Sequence, residues 1–349
     1  MKRLLLPISF LYYIVLFLRH KLYDWNILKS KSYDIPNICV GNLNFGGTGK
    51  TPHIEYLTNL LSEKYNIAIL SRGYGRDTKG FILADESHSH HDIGDEPLQY
   101  FKKFKDVKIA VDENRCEGVE RLLQEENPPQ VILLDDAYQH RKIKPGLNVL
   151  LTDYYNLYSN SHLFPAGDLR DIKKAAQRAD IIVATKSPNV ITPYYRRDVE
   201  GSLKLLPHQK IFYSYIEYLD FKPLSKASHE VDIKDAKTAL ILCGIANTYS
   251  LEDYIKRKYN TVSTVKFSDH HNFTKKDVDT IIEKYNSLIG KSKVIITTEK
   301  DAMRLMNSSF LNRFDDIPVF VLPIKIKFHK EEGTSFDDEI LNYINNSLK

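Results

Sequence analysis

Residues 41–51 read GNLNFGGTGKT, and this stretch constrains the fold more than any other. An apolar run, Pro36-Asn37-Ile38-Cys39-Val40, precedes it, and the amphipathic segment TPHIEYLTNLLSEK follows. A glycine-rich turn from strand to helix, ending in Gly-Lys-Thr, is the context of a phosphate-binding loop of pattern G-x-x-x-x-G-K-[ST]. Position 44, where the first glycine belongs, is Asn. Asn adopts left-handed backbone more readily than most residues, so the turn is expected to survive. The nucleotide-binding residues are then Asn44, Phe45, Gly46, Gly47, Thr48, Gly49, Lys50 and Thr51. The glycines allow close backbone approach, and N–H groups at a helix N-terminus surround phosphate oxygens. Lys50 supplies a point charge to the outer phosphates, and Thr51 a hydroxyl for Mg²⁺.

Such a loop needs an acid to hold the metal. Val131-Ile132-Leu133-Leu134-Asp135 has the expected form, an apolar strand delivering a carboxylate at its C-terminal end, and Asp136 follows. Ligands sit at that end of open parallel sheets. The expected metal ligands are Thr51, Asp135 and Asp136.

The rest of the chain alternates in the same way. Strands are expected near 36–41, 66–72, 105–111, 131–136, 147–153 and 180–186, with helices at 51–64 and 114–126. After the polar stretch KPLSKASHEVDIKDAK (222–237) the pattern restarts, with strands near 238–246, 263–269, 293–299 and 319–326. Continuous apolar strands alternating with helices predict an α/β fold of P-loop NTPase type, a mostly parallel sheet flanked by helices, with a second, smaller α/β lobe. The expected division is an N-terminal helix over 1–28, a nucleotide-binding domain over 29–228 and a smaller lobe over 229–349.

The N-terminus, MKRLLLPISFLYYIVLFLRHK, carries an uncharged apolar run from Leu4 to Leu18. That is shorter than the roughly 20 residues a spanning helix needs. Arg19, His20 and Lys21 stand where a signal peptide would place small residues. Basic ends and interior aromatics predict a helix lying in a membrane interface. The net charge of +4 gives no reason to expect nucleic acid. Three scattered cysteines suggest neither zinc nor a disulfide framework, and the cytoplasm is the default compartment.

A phosphate loop serves switches, motors and kinases alike. Guanine readers carry an N/T-K-x-D element after a late strand. Here Thr185-Lys186-Ser187-Pro188 lacks the acid, and Glu299-Lys300-Asp301 has the wrong spacing. The second early lysine of partitioning ATPases is also missing, because Asn44 and Phe45 occupy that stretch. GNLNFGGTGKTP, SRGYGR (71–76), GDEP (94–97), DDAYQH (135–140), FPAGDLRD (164–171), DHHNF (269–273) and TTEKDA (297–302) follow in one order over nearly the whole chain. This set resembles the tetraacyldisaccharide 4'-kinases, the lipid A 4'-kinases. One departure is Ala137, where that family usually has Gly.

The resemblance implies ATP as donor with Mg²⁺. It implies the 4'-hydroxyl of a tetraacylated glucosamine disaccharide 1-phosphate as acceptor, and lipid IVA as product. It also implies an enzyme on the cytoplasmic face of a bacterial inner membrane, with no obligate protein partner. Asp95 alone reads as a helix N-cap ahead of Pro97; the resemblance makes it the acid that orients or accepts the hydroxyl proton. It likewise makes His270 the partner of Asp95, and the two can meet only if the second lobe folds over the first. Catalysis is thus expected of Asp95, His270 and Lys50. Arg72, Arg76 and Arg170 are candidates for phosphate contacts, and Gln139 and His140 for shaping the metal site. His88, His90 and His91 read as a solvated loop. Thr298, Lys300 and Asp301 match the resemblance without an assignable role. The competing class is a membrane-associated nucleotide switch acting on a partner protein.

Overall fold

The apolar runs pair as parallel strands. In the computed structural model, which describes residues 2–349 apart from 246–247, 269–270, 272, 291, 307–309 and 331–334, the strands are β1 (Asn37–Asn42), β2 (Ile67–Ser71), β3 (Ile82–Leu83), β4 (Lys108–Val111), β5 (Val131–Asp135), β6 (Leu147–Asp153), β7 (Ile181–Thr185), β8 (Lys210–Tyr218), β9 (Lys222–Pro223), β10 (Thr238–Cys243), β11 (Thr261–Lys266), β12 (Lys293–Thr298), β13 (Val319–Leu322) and β14 (Ile324–Phe328). The helices are α1 (Leu6–Asp24), α2 (Lys50–Leu61), α3 (His90–Ile93), α4 (Asp95–Lys103), α5 (Arg115–Leu123), α6 (Pro193–Leu203), α7 (Tyr249–Lys256), α8 (Lys275–Ser287), α9 (Glu299–Met306) and α10 (Phe336–Ser347).

One sheet has the order β14-β8-β7-β6-β1-β5-β2-β4-β3, the other β11-β10-β12-β13-β9. From β4 across to β8 every pairing in the first sheet is parallel. Alternation along β1 explains its burial on both faces. Ile38 and Val40 join one core with Ile54 and Leu57 of α2, while Cys39 joins the other with Val119 and Leu122 of α5. The C-terminal ends of β1, β5, β6 and β7 therefore emerge together, and the loops they feed carry the candidate site.

The chain forms two compact units, 1–216 with 326–349, and 217–325. This differs from the expected boundary at 228, and the last 24 residues do not stay with the smaller unit. The reason lies in the run VFVLPIKI, which reads as one strand but breaks at Pro323. Val319–Leu322 pairs with β12 in the second sheet, whereas Ile324–Phe328 adds to the edge of the first. Proline offers no N–H to a ladder, so the run divides there. Beyond it, α10 buries Phe336, Ile340 and Ile344 in the core that contains Ile38, Leu147 and Phe212.

In the smaller unit α7 covers one face of the sheet, and α8 and α9 the other. Asp301 is fully buried there and accepts from the Gly244 N–H at 2.9 Å and the Thr298 hydroxyl at 2.7 Å. Thr298 accepts in turn from the Asp301 N–H at 3.2 Å. These two residues thus cap the start of α9 and tie it to the end of β10.

Helix α1 inverts the usual pattern. Ser9, Leu16, His20 and Tyr23 form its buried seam, while Leu6, Ile8, Phe10, Leu11, Ile14, Val15 and Leu18 are exposed. Among the described residues no helix is long and apolar enough to cross a membrane.

Ile340→Ala should destabilise the larger unit by about 2–5 kcal/mol, the usual loss for a fully buried isoleucine. Denaturant unfolding checks this, and a change below about 1 kcal/mol would show that α10 is not part of that core.

Candidate active site

The phosphate loop has the backbone its glycines permit. Gly46, Gly47 and Gly49 sit at φ 78°, 35° and 87°. Asn44 does not share that geometry. It bridges Leu169 in antiparallel fashion, and it is absent from the described non-glycine residues with positive φ. The Phe45 N–H donates to the Asp168 carbonyl (2.7 Å), and the Arg170 N–H to the Leu43 carbonyl (2.8 Å). The loop therefore begins as extended chain paired with 168–170. An L-residue fits at position 44 for that reason, not because asparagine tolerates a left-handed turn.

Four successive carbonyls of the loop are held from outside. The Gly46 oxygen accepts from the Thr48 N–H (2.9 Å) and from Asn42 Nδ2 (3.3 Å). The Gly47 oxygen accepts from Lys186 Nζ, which also contacts Asp153 at 2.9 Å. The Thr48 oxygen accepts from the Thr185 hydroxyl at 2.9 Å. The Gly49 oxygen accepts from the His53 N–H (3.2 Å) and contacts His53 Nδ1 (2.7 Å). In a trans peptide the N–H points opposite to the C=O. Anchoring the carbonyls outward thus turns the Gly47, Gly49 and Lys50 amides toward the space a phosphate chain would occupy, while the Thr48 N–H is spent on Gly46.

Beside the loop lies a chain of charge. Lys50 Nζ is 3.6 Å from Asp136, and both carboxylate oxygens of Asp136 accept from Arg170. The same guanidinium reaches the carbonyl and side-chain oxygen of Asn42. Burial works against the Asp136 charge, but Lys50 and Arg170 prevail and hold its carboxyl down at about 2. Asp136 also takes the left-handed turn, at φ 48°, which aspartate tolerates. The positive φ falls there and not on Ala137, so a side chain at 137 meets no backbone strain.

Asp135 is in a different environment. It is buried, and its carboxylate accepts from the Tyr100 hydroxyl at 3.3 Å. Burial, then Glu96 and Asp136, push the Asp135 carboxyl up to about 7, against Lys50 and Arg115. Thr51 also lies near the Tyr100 side chain, and Thr51 and Asp135 offer the hard oxygen donors that Mg²⁺ takes. Asp136, expected as a third ligand, already has both oxygens on Arg170.

Asp95 lies in the first turn of α4, but Gly94 is the N-cap, so the capping reading of Asp95 does not hold. A Cβ on Gly94 would meet the Tyr74 carbonyl at 3.0 Å, so only glycine lets the RGYG and GDEP loops touch. His270 lies outside the described residues. Arg72 is exposed. Arg76 bonds the Gly80 carbonyl (2.7 Å) and Glu113 (2.6 Å), a brace within the fold. Gln139 Nε2 donates to the Asn42 carbonyl at 2.8 Å. Burial, and then the Arg115 charge, hold His140 neutral, at about 4. His88 pairs with Asp85 at 3.0 Å and His91 with Asp77 at 3.1 Å.

Sequence reasoning missed Tyr100, Arg115, Thr185, Lys186 and His53. Tyr100 and Lys186 had a signal, since one lies five residues into the helix opened by Asp95 and the other ends an apolar strand. Arg115 had none. Only the fold sets its guanidinium 3.4 Å from the Asp135 carbonyl.

The family model for tetraacyldisaccharide-1-P 4'-kinase matches residues 1–345. The chain belongs to this family. It is 43% identical to the tetraacyldisaccharide 4'-kinase of Flavobacterium johnsoniae, over 100% of this chain and 99% of that protein. It is 40% identical to the one from Bacteroides thetaiotaomicron, over 99% and 94%. Among solved structures it is similar to LpxK from Aquifex aeolicus in complex with ATP, with a TM-score of 0.71 and 29% identity over 98% of this chain and 99% of that one. As a tetraacyldisaccharide 4'-kinase family member the protein is an ATP-dependent kinase of lipid A biosynthesis.

In this kinase α1 is bonded to the loops of the site. Ser9 donates to the Leu163 carbonyl (3.0 Å) and accepts from the Ala166 N–H (3.0 Å). The Tyr12 hydroxyl donates to the Arg170 carbonyl at 3.1 Å, and Arg19 to the Gln139 carbonyl at 2.9 Å. His20 meets the buried Asp171 at 2.6 Å. The helix so touches both the 135–141 and the 163–171 segments.

Arg170→Lys keeps one charge but not the fork that spans Asp136 and Asn42. Steady-state kinetics should show kcat/KM lower by roughly 10- to 100-fold, the range for losing charge-assisted hydrogen bonds. A variant within twofold of the parent would remove Arg170 from the site.

Proposed function

We propose that this kinase transfers the γ-phosphoryl group of ATP to the 4'-hydroxyl of a tetraacyldisaccharide 1-phosphate, forming lipid IVA at the cytoplasmic face of a bacterial inner membrane. The observation that carries this reading is helix α1. Its outer face exposes large apolar side chains, while its inner face is hydrogen-bonded to the loops beside the phosphate loop. An acceptor held in lipid by its acyl chains requires such a juxtaposition. An exposed apolar face of that size on a helix not apolar enough over its length to span suits an interface, where the apolar side enters the acyl boundary.

In the proposed mechanism the loop amides and Lys50 hold the phosphates of ATP. The 4'-oxygen attacks the γ-phosphorus, the bond from that phosphorus to the ADP oxygen breaks, and ADP leaves. Asp95 takes the hydroxyl proton, with His270 as its partner. Thr51 and Asp135 would hold Mg²⁺, which when bound neutralises charge on the β- and γ-phosphates. Asp136 keeps Lys50 and Arg170 in place. Arg170 and Lys50 then face the transferring group with their positions already set, which is how such enzymes lower the barrier.

The test is transfer of label from γ-labelled ATP to the acceptor in mixed micelles with Mg²⁺. Labelled lipid is expected, absent with Lys50→Ala. Asp95→Ala and His270→Ala should be non-additive if the two act as a unit; additive losses would separate them. Free phosphate without labelled lipid, unaffected by acceptor, would favour the nucleotide switch. For the membrane, Phe10→Ser with Leu11→Ser should reduce co-sedimentation with anionic vesicles several-fold, because two large apolar side chains would no longer enter the bilayer. Equal sedimentation would remove α1 as the contact.

A further inference from the structure

His53 lies one turn into α2, is almost wholly inaccessible, and has no part in the mechanism above. Its ring joins two groups. Nδ1 is 2.7 Å from the Gly49 carbonyl oxygen, and Nε2 is 2.9 Å from the hydroxyl of Ser214 on β8, itself fully buried. A carbonyl oxygen only accepts, so the proton is on Nδ1. A neutral imidazole then accepts at Nε2, and the Ser214 hydroxyl donates to it. Ser214 is fixed from its other side, because its carbonyl accepts from the Ser187 N–H (2.9 Å) and hydroxyl (3.0 Å). The Phe328 ring stands edge-on to the imidazole at 6.0 Å. The bond to Ser214 is buried, so water has no access to replace it.

The Gly49 carbonyl does not need this second donor in order to fold. The His53 backbone N–H already makes the helical bond to it, at 3.2 Å, and an aliphatic side chain would fill the space. The extra bond acts on a peptide plane. Gly49 is left-handed, at φ 87° and ψ 31°, and glycine leaves its peptides freer to swivel than any other residue. The Gly49 carbonyl and the Lys50 N–H belong to one rigid unit. Holding the oxygen holds the N–H.

We propose that His53 is a positioning residue of the nucleotide site: its Nδ1–H holds the Gly49 carbonyl so that the Lys50 N–H faces the phosphates, and Ser214 locks the ring that does so. The proposal rests on the nucleotide reading of the loop. It assigns to the interior of α2 a part of ATP affinity that does not come from a contact with ATP.

The test uses the full-length enzyme with MgATP and the lipid acceptor. His53→Val, which removes both bonds, should raise KM for MgATP about three- to tenfold, the worth of one hydrogen bond. The acceptor KM and kcat at saturating ATP should stay within twofold. His53→Asn places an amide N–H near the Nδ1 position and should restore the ATP KM to within twofold of the parent. Ser214→Ala should raise it in the parent and add nothing in the His53→Val background. Equal losses in His53→Val and His53→Asn, or an unchanged ATP KM in His53→Val, would reduce His53 to a core side chain. Long-range ¹H–¹⁵N spectra of the unmutated enzyme should show the Nδ1–H tautomer, and an Nε2–H tautomer would overturn the proposal whether or not any variant folds. Turnover by Lys50→Ala is a separate failure, because it would remove the nucleotide reading itself.

Discussion

The carbonyls of residues 46–49 are all taken, and the site follows from that. A glycine-rich loop is a poor phosphate cradle unless something selects one of its many backbone states. Here the selection comes from side chains behind the loop: Asn42 at the end of β1, Thr185 and Lys186 at the end of β7, and His53 one turn into α2. Lys186 adopts φ 56° to reach Gly47, so some backbone strain is stored in the neighbour and not in the loop. The loop is preorganised from three directions by elements whose own positions the parallel sheet sets.

Arg170 extends the same logic to charge. Its backbone N–H pairs with Leu43, and its guanidinium spans Asp136 and Asn42. One residue joins the strand-like entry of the loop, the acid after β5 and the end of β1. Asp135 and Asp136 are neighbours in sequence with opposite electrostatics. Burial, with Glu96 close by, raises one, while Lys50 and Arg170 lower the other. Two adjacent carboxylates thereby suit different tasks, one a hard donor and the other a fixed counter-charge.

Helix α1 explains how a phosphoryl site and an apolar surface come to share one element. A helix with Leu, Ile and Phe all round would ordinarily sink into a core. Ser9, Tyr12, Arg19 and His20 prevent this by bonding to backbone and to Asp171 at defined points. The polar residues choose the buried seam, and the apolar ones are left outside. That assignment reverses what composition alone suggests for a soluble protein.

Much of this was legible in the chain. Gly-Lys-Thr after an apolar strand, acids at the end of VILLD and the strand–helix alternation determined the fold class, the loop and the acid at 135, because these depend on spacing between near neighbours. Asn44 was readable as a variation but not for its true reason, since its partner Leu169 is 125 residues away. The split at Pro323 was visible as a proline, but which sheet each half joins was not. Read alone, the chain offered residues whose chemistry suits phosphate, metal and lipid. Folding in three dimensions was needed to show that Asp136 pairs with Arg170, that Tyr100 donates to Asp135, and that His53 reaches Gly49 while leaning on Ser214. Those are contacts between side chains brought together by a folded sheet, and their geometry is a property of packing that no local pattern encodes.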